Sequence, residues 1–506
     1  MQTFHSFLHE LIEESALTFP NHIAIREAAD KQTSFAQLAI LSQSIYEMLI
    51  QQAIPAQARI VFYTEKSSET IAAFLACSKA NLIYVPVSLL NPVARLQQII
   101  QLANADYICI DSSHIALLEE LSSCYRIESK IEIASLIFLQ INKKNTISTT
   151  KDIAFILFTS GSTGLPKGVS ISHRAALSFI EWSATYFSLD TSNQVLSIAP
   201  FNFDLSVFDI YASMMRGACL HLLAEQEIKN PMLIASYIDQ AKINTIYATP
   251  TFYQTLVAYG KLHKYDFAQV KHILFAGEVF PREGIIQLKT IFHQALLHNL
   301  YGPTETNVCT YYTLPAHFDE QSKDAFPIGK ACTYAKCMLI DENMQEITSI
   351  QTPGELIVAG TSLFTNYWGN EDKTKEAFIL MDDEKYYKTG DIAFYNEQHE
   401  LMYTHRKDEM VKKNGYRIEL EEIAACLSRH ENIQQVACVY LKQKNEILCF
   451  YLSKTNEALD IISLKTFCTK YLPTYMIPDK FVYLNSFPTT VSGKTDKAQL
   501  VKNYEA

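Results

Sequence analysis

The sequence predicts an α/β protein with a large N-terminal body of several subdomains and a small α+β C-terminal cap. Short apolar runs alternate with helical patterns up to about residue 330, and short strands separated by turns follow. A polar, charged stretch at 404–415 then precedes a final α/β segment. Alternating strands and helices are typical of mostly parallel sheets, and the later strand-rich part predicts a β-rich appendage to the body.

The predicted strands of the body are short and almost continuously apolar. Such runs are expected where both faces of a strand are buried, as in a parallel sheet. Helical patterns lie between them, for example at 68–80 and 231–242. The clearest predicted strands are 59–64, 106–111, 153–158, 195–200, 245–250 and 272–277.

The appendage and the cap follow from the remaining pattern. Short strands with turns are expected within 336–347 and 354–368. Beyond the charged stretch we expect a helix at 417–430 and two strands at 434–441 and 447–452. The expected organisation is a core domain at 1–404, a hinge at 405–408 and a cap domain at 409–506.

Composition and charge exclude several classes of function. The 506 residues suffice for two to four domains, and 43 Lys and Arg against 54 Asp and Glu give a net charge of −11. This acidic balance argues against a general nucleic-acid binder. The N-terminus lacks a signal-peptide layout, the apolar runs fall far short of the ~20 residues that span a bilayer, and the 11 cysteines form no C-x-x-C pair. We therefore expect a cytoplasmic protein with no nucleic-acid or membrane partner.

The stretch TSGSTGLPKG, which directly follows the predicted strand 153–158, predicts a polyphosphate site. It holds three of only 15 glycines, four hydroxyls and one lysine. Glycines let backbone N–H groups approach phosphate oxygens, hydroxyls add donors, and a lysine offsets negative charge. The spacing differs from a Walker A loop. The candidate ATP-binding residues in this phosphate loop are Thr159, Ser160, Gly161, Ser162, Thr163, Gly164 and Lys167.

Further motifs follow the phosphate loop in a characteristic order. They are NLYGPTETN (299–307), GELIVAG (354–360), YKTGD (387–391), HRKDEMVKKNGYRIE (405–419) and TVSGKTDK (490–497). The series resembles the motif set of the adenylate-forming superfamily, which includes acyl-CoA synthetases, luciferases and the adenylation domains of nonribosomal peptide synthetases. The resemblance covers essentially the whole chain. It implies ATP and Mg²⁺ as cofactors and a C-terminal cap that is mobile.

The resemblance assigns nucleotide-binding roles in the first and third of these motifs. Tyr301 offers a flat face to adenine, with Gly302 beside it in the same turn. Thr304 offers a hydroxyl to a phosphate oxygen, and Glu305 is a hard oxygen ligand for Mg²⁺. Asp391 resembles the carboxylate that accepts hydrogen bonds from both ribose hydroxyls.

Basic residues of the last two motifs receive roles in the same way. Arg406 resembles a second ribose or phosphate contact, and Asp408 matches the residue about which the cap rotates. Lys412 matches a lysine that assists thioester formation, although the adjacent Lys413 is an alternative for that role. Lys494 resembles the cap lysine that binds the substrate carboxylate and the α-phosphate. The expected catalytic residues are Lys494, Lys412, Thr304 and Glu305.

The acid that is activated is predicted from one buried carboxylate. Asp204 lies within the apolar, aromatic run 201–211, where an unpaired charge is costly and the α-ammonium group of an amino acid would be its partner. The resemblance is to amino-acid-activating adenylation domains, in which this aspartate holds the substrate's amino group. The substrate-binding residues carried over are Asp204, Leu205, Phe208, Tyr247, Leu274, Ala276, Leu300, Val308 and Cys309, with Lys494 beside them.

The apolar lining disfavours amino acids with charged or amide side chains. The pattern is similar to that of free-standing L-proline:carrier-protein ligases. It is also similar to D-alanine:carrier-protein ligases, which typically have Cys where Ala276 stands and Thr where Leu300 stands. Both differences enlarge the pocket or make it less polar, so L-proline is favoured and D-alanine is the first alternative.

The expected reaction has two steps at one site. The amino-acid carboxylate attacks the α-phosphorus of ATP to give an aminoacyl-AMP, and the phosphopantetheine thiol of a carrier protein then displaces AMP. No carrier motif accompanies the chain, so we expect the carrier to be a separate protein. The alternatives are an acyl-CoA synthetase and a non-catalytic nucleotide-binding relative.

Overall fold

The computed structural model describes residues 5–27, 31–141, 152–161, 164–319, 324–407, 410–488 and 495–505. Most of the apolar and helical patterns of the sequence appear as the elements predicted from them. The helices are α1 (Leu8–Thr18), α2 (Phe35–Gln51), α3 (Ser68–Lys79), α4 (Val93–Ala103), α5 (Leu117–Cys124), α6 (His173–Tyr186), α7 (Leu205–Val207), α8 (Glu225–Ile228), α9 (Pro231–Gln240), α10 (Pro250–Tyr259), α11 (Arg282–Ile291), α12 (Glu371–Ala377), α13 (Leu420–Leu427), α14 (Ile461–Tyr471) and α15 (Lys497–Glu505).

The strands fall into five sheets. They are β1 (Ile23–Arg26), β2 (Gln32–Ser34), β3 (Arg59–Tyr63), β4 (Ile83–Pro86), β5 (Tyr107–Asp111), β6 (Ser129–Ile133), β7 (Leu136–Gln140), β8 (Ile153–Thr159), β9 (Lys167–Ser172), β10 (Gln194–Ser197), β11 (Cys219–Leu222), β12 (Thr245–Ala248), β13 (His272–Phe275), β14 (Leu296–Tyr301), β15 (Thr310–Thr313), β16 (Lys330–Ala331), β17 (Ala335–Ile340), β18 (Glu346–Ile347), β19 (Gly354–Gly360), β20 (Asn366–Tyr367), β21 (Phe378–Met381), β22 (Glu384–Tyr395), β23 (Leu401–Arg406), β24 (Met410–Lys413), β25 (Tyr416–Glu419), β26 (Ile433–Leu441), β27 (Glu446–Ser453) and β28 (Lys480–Tyr483).

Two large sheets confirm the predicted α/β body. One has the order β16-β15-β14-β13-β12-β10-β11-β1-β2, and its six strands from β14 to β1 are parallel. The other has the order β20-β9-β8-β4-β3-β5-β7-β6, with parallel pairing of β4 to β3, β5 to β3 and β8 to β4. Every residue of β3, β4 and β5 is buried, as their continuous apolar sequences predict.

A third sheet confirms the β-rich appendage. Its order is β18-β17-β19-β22-β21, with β23 paired to the far half of β22, and every pairing is antiparallel. Antiparallel strands need only short turns between them, which explains why this part of the sequence lacks long helical patterns.

The C-terminal segment is a small α+β arrangement, also as predicted. The sheet β26-β27-β28 packs with α13 and α14 around a core that includes Ile423, Leu427, Cys449 and Leu464. One detail of the prediction was wrong: the helix expected from 417 begins only at Leu420, because 416–419 pairs with β24 as a hairpin strand.

The chain divides into two compact units. The first comprises Met1–Ser88, Ala103–Leu157 and Gly168–Lys407, and the second comprises Leu89–Leu102, Phe158–Lys167 and Asp408–Ala506. The second unit thus contains most of α4 and the phosphate loop besides the C-terminal segment. The expected hinge at 405–408 and the mobility of the cap stay predictions. Within the described residues, every helix is too short or too polar to cross a membrane.

Candidate active site

Three side chains of the first unit meet at the predicted ribose-binding carboxylate. Asp391 on β22 lies opposite Arg406 on β23, and Arg406 Nη1 donates to Asp391 Oδ1 at 3.0 Å. The Tyr301 hydroxyl donates to Asp391 Oδ2. Asp391 is only 2% exposed, so a cation and a hydroxyl stabilise a charge that burial alone would oppose. The structure therefore brings these residues, which we call the nucleotide triad, together from three distant motifs.

The backbone of the TGD motif explains why the triad carboxylate is so rigidly held. Thr389 Oγ1 donates to Leu356 O at 2.6 Å and accepts from Asp391 N at 3.0 Å. Gly390 has φ +71°, a conformation that glycine adopts without strain. Arg406 Nη1 also donates to Thr389 O at 3.0 Å. Burial, followed by the negative charge of Asp391, raises the pKa of Tyr301 well above its usual value, so the phenol keeps its proton.

The YGPTE turn places Glu305 in the interior. A Cβ added to Gly302 would lie 1.6 Å from Asn307 O, so only glycine fits this turn. The Tyr367 hydroxyl donates to Glu305 Oε1 at 2.8 Å, and Phe364 N donates to Glu305 O at 2.7 Å. Glu305 is fully buried, and Thr304, next to it in the chain, is half-buried.

This arrangement fits a magnesium ion that is bound mainly through nucleotide phosphates. Among the described residues, no three His, Cys, Asp or Glu side chains cluster as a metal site would require. Mg²⁺ in nucleotide sites uses only one or two carboxylates and completes its shell with phosphates and water. A single buried carboxylate held by a tyrosine, as at Glu305, is therefore an adequate protein contribution.

The phosphate loop belongs to the second unit. Gly161 closes a tight turn: a Cβ there would lie 2.0 Å from Leu165 O, and Gly164 N donates to Gly161 O at 3.0 Å. Thr159 Oγ1 is buried and makes no hydrogen bond to the described residues. Ser160 Oγ donates to Arg417 O at 2.7 Å. The predicted ligands Ser162 and Thr163 lie outside the described residues, and the half-buried Lys167 begins β9.

The predicted amino-acid pocket is a continuous apolar cluster in the first unit. Phe208 and Tyr247 pack edge to face, with ring centroids 5.5 Å apart, and Tyr247 pairs with Leu274 across β12 and β13. The half-buried Asp204 immediately precedes α7. The predicted lining residues that share this hydrophobic core are Leu205, Phe208, Tyr247, Leu274, Ala276, Leu300 and Val308.

The remaining predicted lining residue, Cys309, belongs to a different apolar cluster, which also contains Tyr301 and Ile328. Cys309 is buried directly after Val308, and its N–H donates to Tyr301 O at 2.8 Å. Burial, and then the charge of Asp204, raises the pKa of Tyr247 well above its usual value. Asp204 and the Tyr247 phenol therefore interact, although they are 43 positions apart in the sequence.

The two candidate thioester lysines differ in their surroundings. Lys413 is buried, and its Nζ lies 2.5 Å from Asp479 Oδ2, which also accepts from Ile447 N at 2.7 Å. Lys412 is half-buried on the other face of the same strand. The buried Lys413 ammonium is thus paired with an exposed carboxylate, which indicates a structural task. The other two predicted cap residues, Asp408 and Lys494, lie outside the described residues.

One buried carboxyl group near the predicted pocket, that of Asp209, was not predicted from the sequence. Asp209 is fully buried in a π-helical turn (Phe208–Ala212), and neither carboxylate oxygen makes a hydrogen bond to the described residues. Burial raises its pKa, and the charge of Lys66 opposes that shift. Lys66 Nζ donates to Ser197 O at 2.7 Å. The signal in the sequence was a second aspartate in the same apolar run that contains Asp204.

The chain is similar over its full length to known carrier-protein ligases and to an adenylation domain of known structure. The chain is 30% identical to an L-proline--[L-prolyl-carrier protein] ligase of Pseudomonas fluorescens, covering 98% of this chain and 99% of the relative. It is 31% identical to a D-alanine--D-alanyl carrier protein ligase of Bacillus cereus, covering 99% and 100%. The fold matches the Vibrio cholerae adenylation domain AlmE, solved in complex with glycyl-adenosine-5'-phosphate, with a TM-score of 0.84, 20% identity and coverage of 100% and 99%.

Two sequence families account for most of the chain. Residues 12–368 match the AMP-binding enzyme family, and residues 422–494 match the AMP-binding enzyme C-terminal domain. The first match contains the phosphate loop and the YGPTE turn, and the nucleotide triad includes one residue from that turn. The chain therefore belongs to the AMP-binding enzymes of the adenylate-forming superfamily and is an AMP-forming ligase.

Proposed function

We propose that the protein activates a small apolar amino acid, with L-proline favoured, as an aminoacyl-AMP and transfers it to the phosphopantetheine thiol of a separate carrier protein. The amino-acid carboxylate attacks the α-phosphorus of ATP and releases pyrophosphate. The thiol then attacks the acyl carbon and releases AMP. Full-length similarity to two kinds of amino acid:carrier-protein ligase supports this class of reaction.

The observation that carries the proposal is the position of Asp204 at the head of an apolar cluster. Apart from Asp204, the lining residues predicted from the sequence carry no acid, base or amide group for a polar substrate side chain. The carboxylate of Asp204 is the charged group that an α-ammonium would contact. An acid without an amino group would not offer this carboxylate an ammonium group to contact, which disfavours fatty and aryl acids.

The nucleotide is assigned to the triad and the phosphate loop. Asp391 would accept from the ribose hydroxyls, because each carboxylate oxygen can accept a further hydrogen bond besides those from Tyr301 and Arg406. Glu305 would bind Mg²⁺, which offsets the negative charge that develops on the phosphates. Lys494 would contact the substrate carboxylate and the α-phosphate in this first step.

Lys412 is proposed for the thioester step, after the cap rotates about Asp408. The ion pair of Lys413 with Asp479 favours Lys412 over its neighbour for this role, because the Lys413 ammonium is already engaged by a carboxylate of its own unit. A rotation would also separate the two half-reactions, since pyrophosphate must leave before the thiol enters.

L-proline and D-alanine differ in size, in configuration at Cα and in the class of their amine. The relatives at 30% and 31% identity support both amino acids equally. The predicted lining favours L-proline, because Ala276 leaves more room than the Cys typical of D-alanine ligases and Leu300 is less polar than their Thr. One methylene is worth only ~1–3 kcal/mol in an apolar pocket, so the preference for L-proline is expected to be finite.

Two assays test the two-step proposal. ATP–pyrophosphate exchange measures the first step, and loading of a phosphopantetheinylated carrier protein, followed by mass spectrometry, measures the second. Lys494→Ala should abolish pyrophosphate exchange while ATP binding persists. Lys412→Ala should slow thioester formation more than exchange, and Lys442→Ala, an exposed lysine of the same unit, serves as the control. Equal losses in both steps for Lys412→Ala would contradict its assignment, and unchanged exchange in Lys494→Ala would contradict the role of that residue.

A further inference from the structure

A buried carboxylate of the second unit contacts the phosphate loop. Glu422, on α13, is 1% exposed. Its Oε2 accepts a hydrogen bond from Gly161 N at 3.1 Å, and its Oε1 accepts from Arg95 Nη1. Arg95, on α4, is 5% exposed. One carboxylate thus joins the two other stretches of this unit, the phosphate loop and α4.

The two donors at this carboxylate are of the kind that proteins use to bind phosphate. A backbone N–H at a glycine-rich turn presents a donor at close range, and a guanidinium binds anionic oxygens with charge-assisted hydrogen bonds. The direction of the Gly161 N–H is fixed by the tight turn, because a Cβ at this position would lie 2.0 Å from Leu165 O. Glu422 therefore occupies a point where two preformed anion donors converge.

We infer that Arg95 and the Gly161 N–H form an anion site for the polyphosphate of ATP, and that Glu422 is the internal anion that fills it in this conformation. This inference rests on the proposed nucleotide-binding role of the phosphate loop. It makes Arg95 a ligand of the phosphates, and it makes Glu422 a competitor of ATP for the same two donors.

At this site a phosphate group can bind only by replacing the carboxylate of Glu422. A buried guanidinium without an anionic partner is strongly unfavourable, so Arg95 requires either Glu422 or a substitute. The single hydrogen of the Gly161 N–H is engaged by the carboxylate and is shared poorly between two acceptors. ATP must therefore displace Glu422, and part of its binding free energy offsets the loss of the internal contact.

The test is calorimetric titration of the full chain with ATP and, separately, with AMP. Glu422→Gln keeps the shape of the side chain but removes the charge, so the internal competitor is weakened. ATP should bind about 10- to 150-fold more tightly, the range expected for one charge-assisted hydrogen bond. AMP lacks the β- and γ-phosphates, and its affinity should stay within about twofold. The matched control is Glu421→Gln, an exposed neighbour paired with Lys497 at 2.7 Å, which should change neither affinity.

A second pair of variants tests Arg95 and guards against misfolding. Arg95→Gln in the Glu422→Gln background should remove the gain in ATP affinity. Glu422→Asp keeps an anion near Arg95 but shortens the reach to the Gly161 N–H, so ATP affinity should rise by a smaller factor.

Three results would overturn the inference. The first is an ATP affinity in folded Glu422→Gln and Glu422→Asp within twofold of the parent protein. The second is an equal gain for AMP, and the third is retention of the gain without Arg95. A parent protein that binds no ATP at all would contradict the proposed function as well.

Discussion

The nucleotide triad and the amino-acid pocket use buried carboxylates in opposite ways. Asp391 is surrounded by donors of its own protein, with Arg406 at 3.0 Å and the Tyr301 hydroxyl also in contact. Asp204 is half-buried at the edge of an apolar cluster, and its charge acts on the Tyr247 phenol. The first carboxylate is thus held by an arginine and a tyrosine, whereas the second lies beside aromatic and apolar side chains.

This difference separates a general task from a specific one. Every enzyme of this superfamily binds ATP, so a preorganised and fully stabilised carboxylate loses little when the ribose joins it. The amino acid must be selected, and a pocket with one charge and apolar walls selects by the amino group and by volume. Substitutions in the two regions should therefore affect different kinetic parameters.

Asp391→Asn should have the largest effect and would break the triad. The amide cannot neutralise Arg406 and offers one acceptor oxygen instead of two. We expect kcat/KM for ATP to fall about 100- to 4000-fold, since removal of one member of a buried charge pair costs about 3–5 kcal/mol. Steady-state kinetics with varied ATP provides the measurement. Asp383→Asn, in the exposed turn just before β22, is the control that should behave like the parent protein.

Asp204→Asn tests the amino-acid pocket, the second of the two regions compared. Loss of one charge-assisted contact of about 1.5–3 kcal/mol corresponds to a rise in amino-acid KM of about 10- to 150-fold. The KM for ATP should stay within about twofold, because the triad is untouched. Exposed Asp266→Asn is the control. A parallel rise in both KM values would show that Asp204 supports the fold instead of contacting the amino group.

Acid should destabilise the strands that carry the pocket. His272 on β13 and His298 on β14 lie 3.2 Å apart through their ring nitrogens. Burial lowers the pKa of His272 to about 4 and that of His298 to about 3. The unfolded chain takes up these protons near pH 6.5, so the free energy of unfolding should fall as pH decreases from about 6.5 towards 4, by about 1.4 kcal/mol per pH unit for each histidine.

Urea unfolding at pH 7 and pH 5 measures this loss. His298→Asn should reduce the difference between the two free energies, whereas exposed His293→Asn should leave it unchanged. Equal stability of the parent protein at both pH values would contradict the requirement that these histidines stay neutral.

Tyr367→Phe should have the smallest effect, on the magnesium ligand. The phenylalanine keeps the ring but removes the hydroxyl that donates to Glu305 Oε1 at 2.8 Å. A neutral donor to a carboxylate contributes about 1 kcal/mol, which corresponds to about a fivefold increase in the Mg²⁺ concentration for half-maximal exchange. Tyr259→Phe, at an exposed tyrosine, is the control. An unchanged Mg²⁺ requirement would contradict the positioning role of Tyr367.

The fold was largely predictable because its signals are local. Strands β3, β5 and β13 follow apolar runs of the sequence, and helix α3 ends within one residue of its prediction. The hairpin strand 416–419 was not distinguished from the helix that follows it, because four residues are too few to separate the two periodicities.

The candidate site was predictable only where a motif marked it. Tyr301, Asp391 and Arg406 each lie in a recognisable motif, and the structure brings them together. The contact of Arg95 with Glu422 spans 327 positions, and neither residue stands out in its own stretch of sequence. Such pairing is set by tertiary structure, which a local pattern does not encode.

The central claim is that one carboxylate in an apolar pocket selects a small apolar amino acid. The most direct measurement is ATP–pyrophosphate exchange with L-proline, D-alanine, L-alanine, glycine, L-valine and a fatty acid as separate substrates. We predict the highest kcat/KM for L-proline, lower values for the other small amino acids and no exchange with the fatty acid. Faster exchange with D-alanine than with L-proline would contradict the pocket argument, and exchange with the fatty acid alone would contradict amino-acid activation itself.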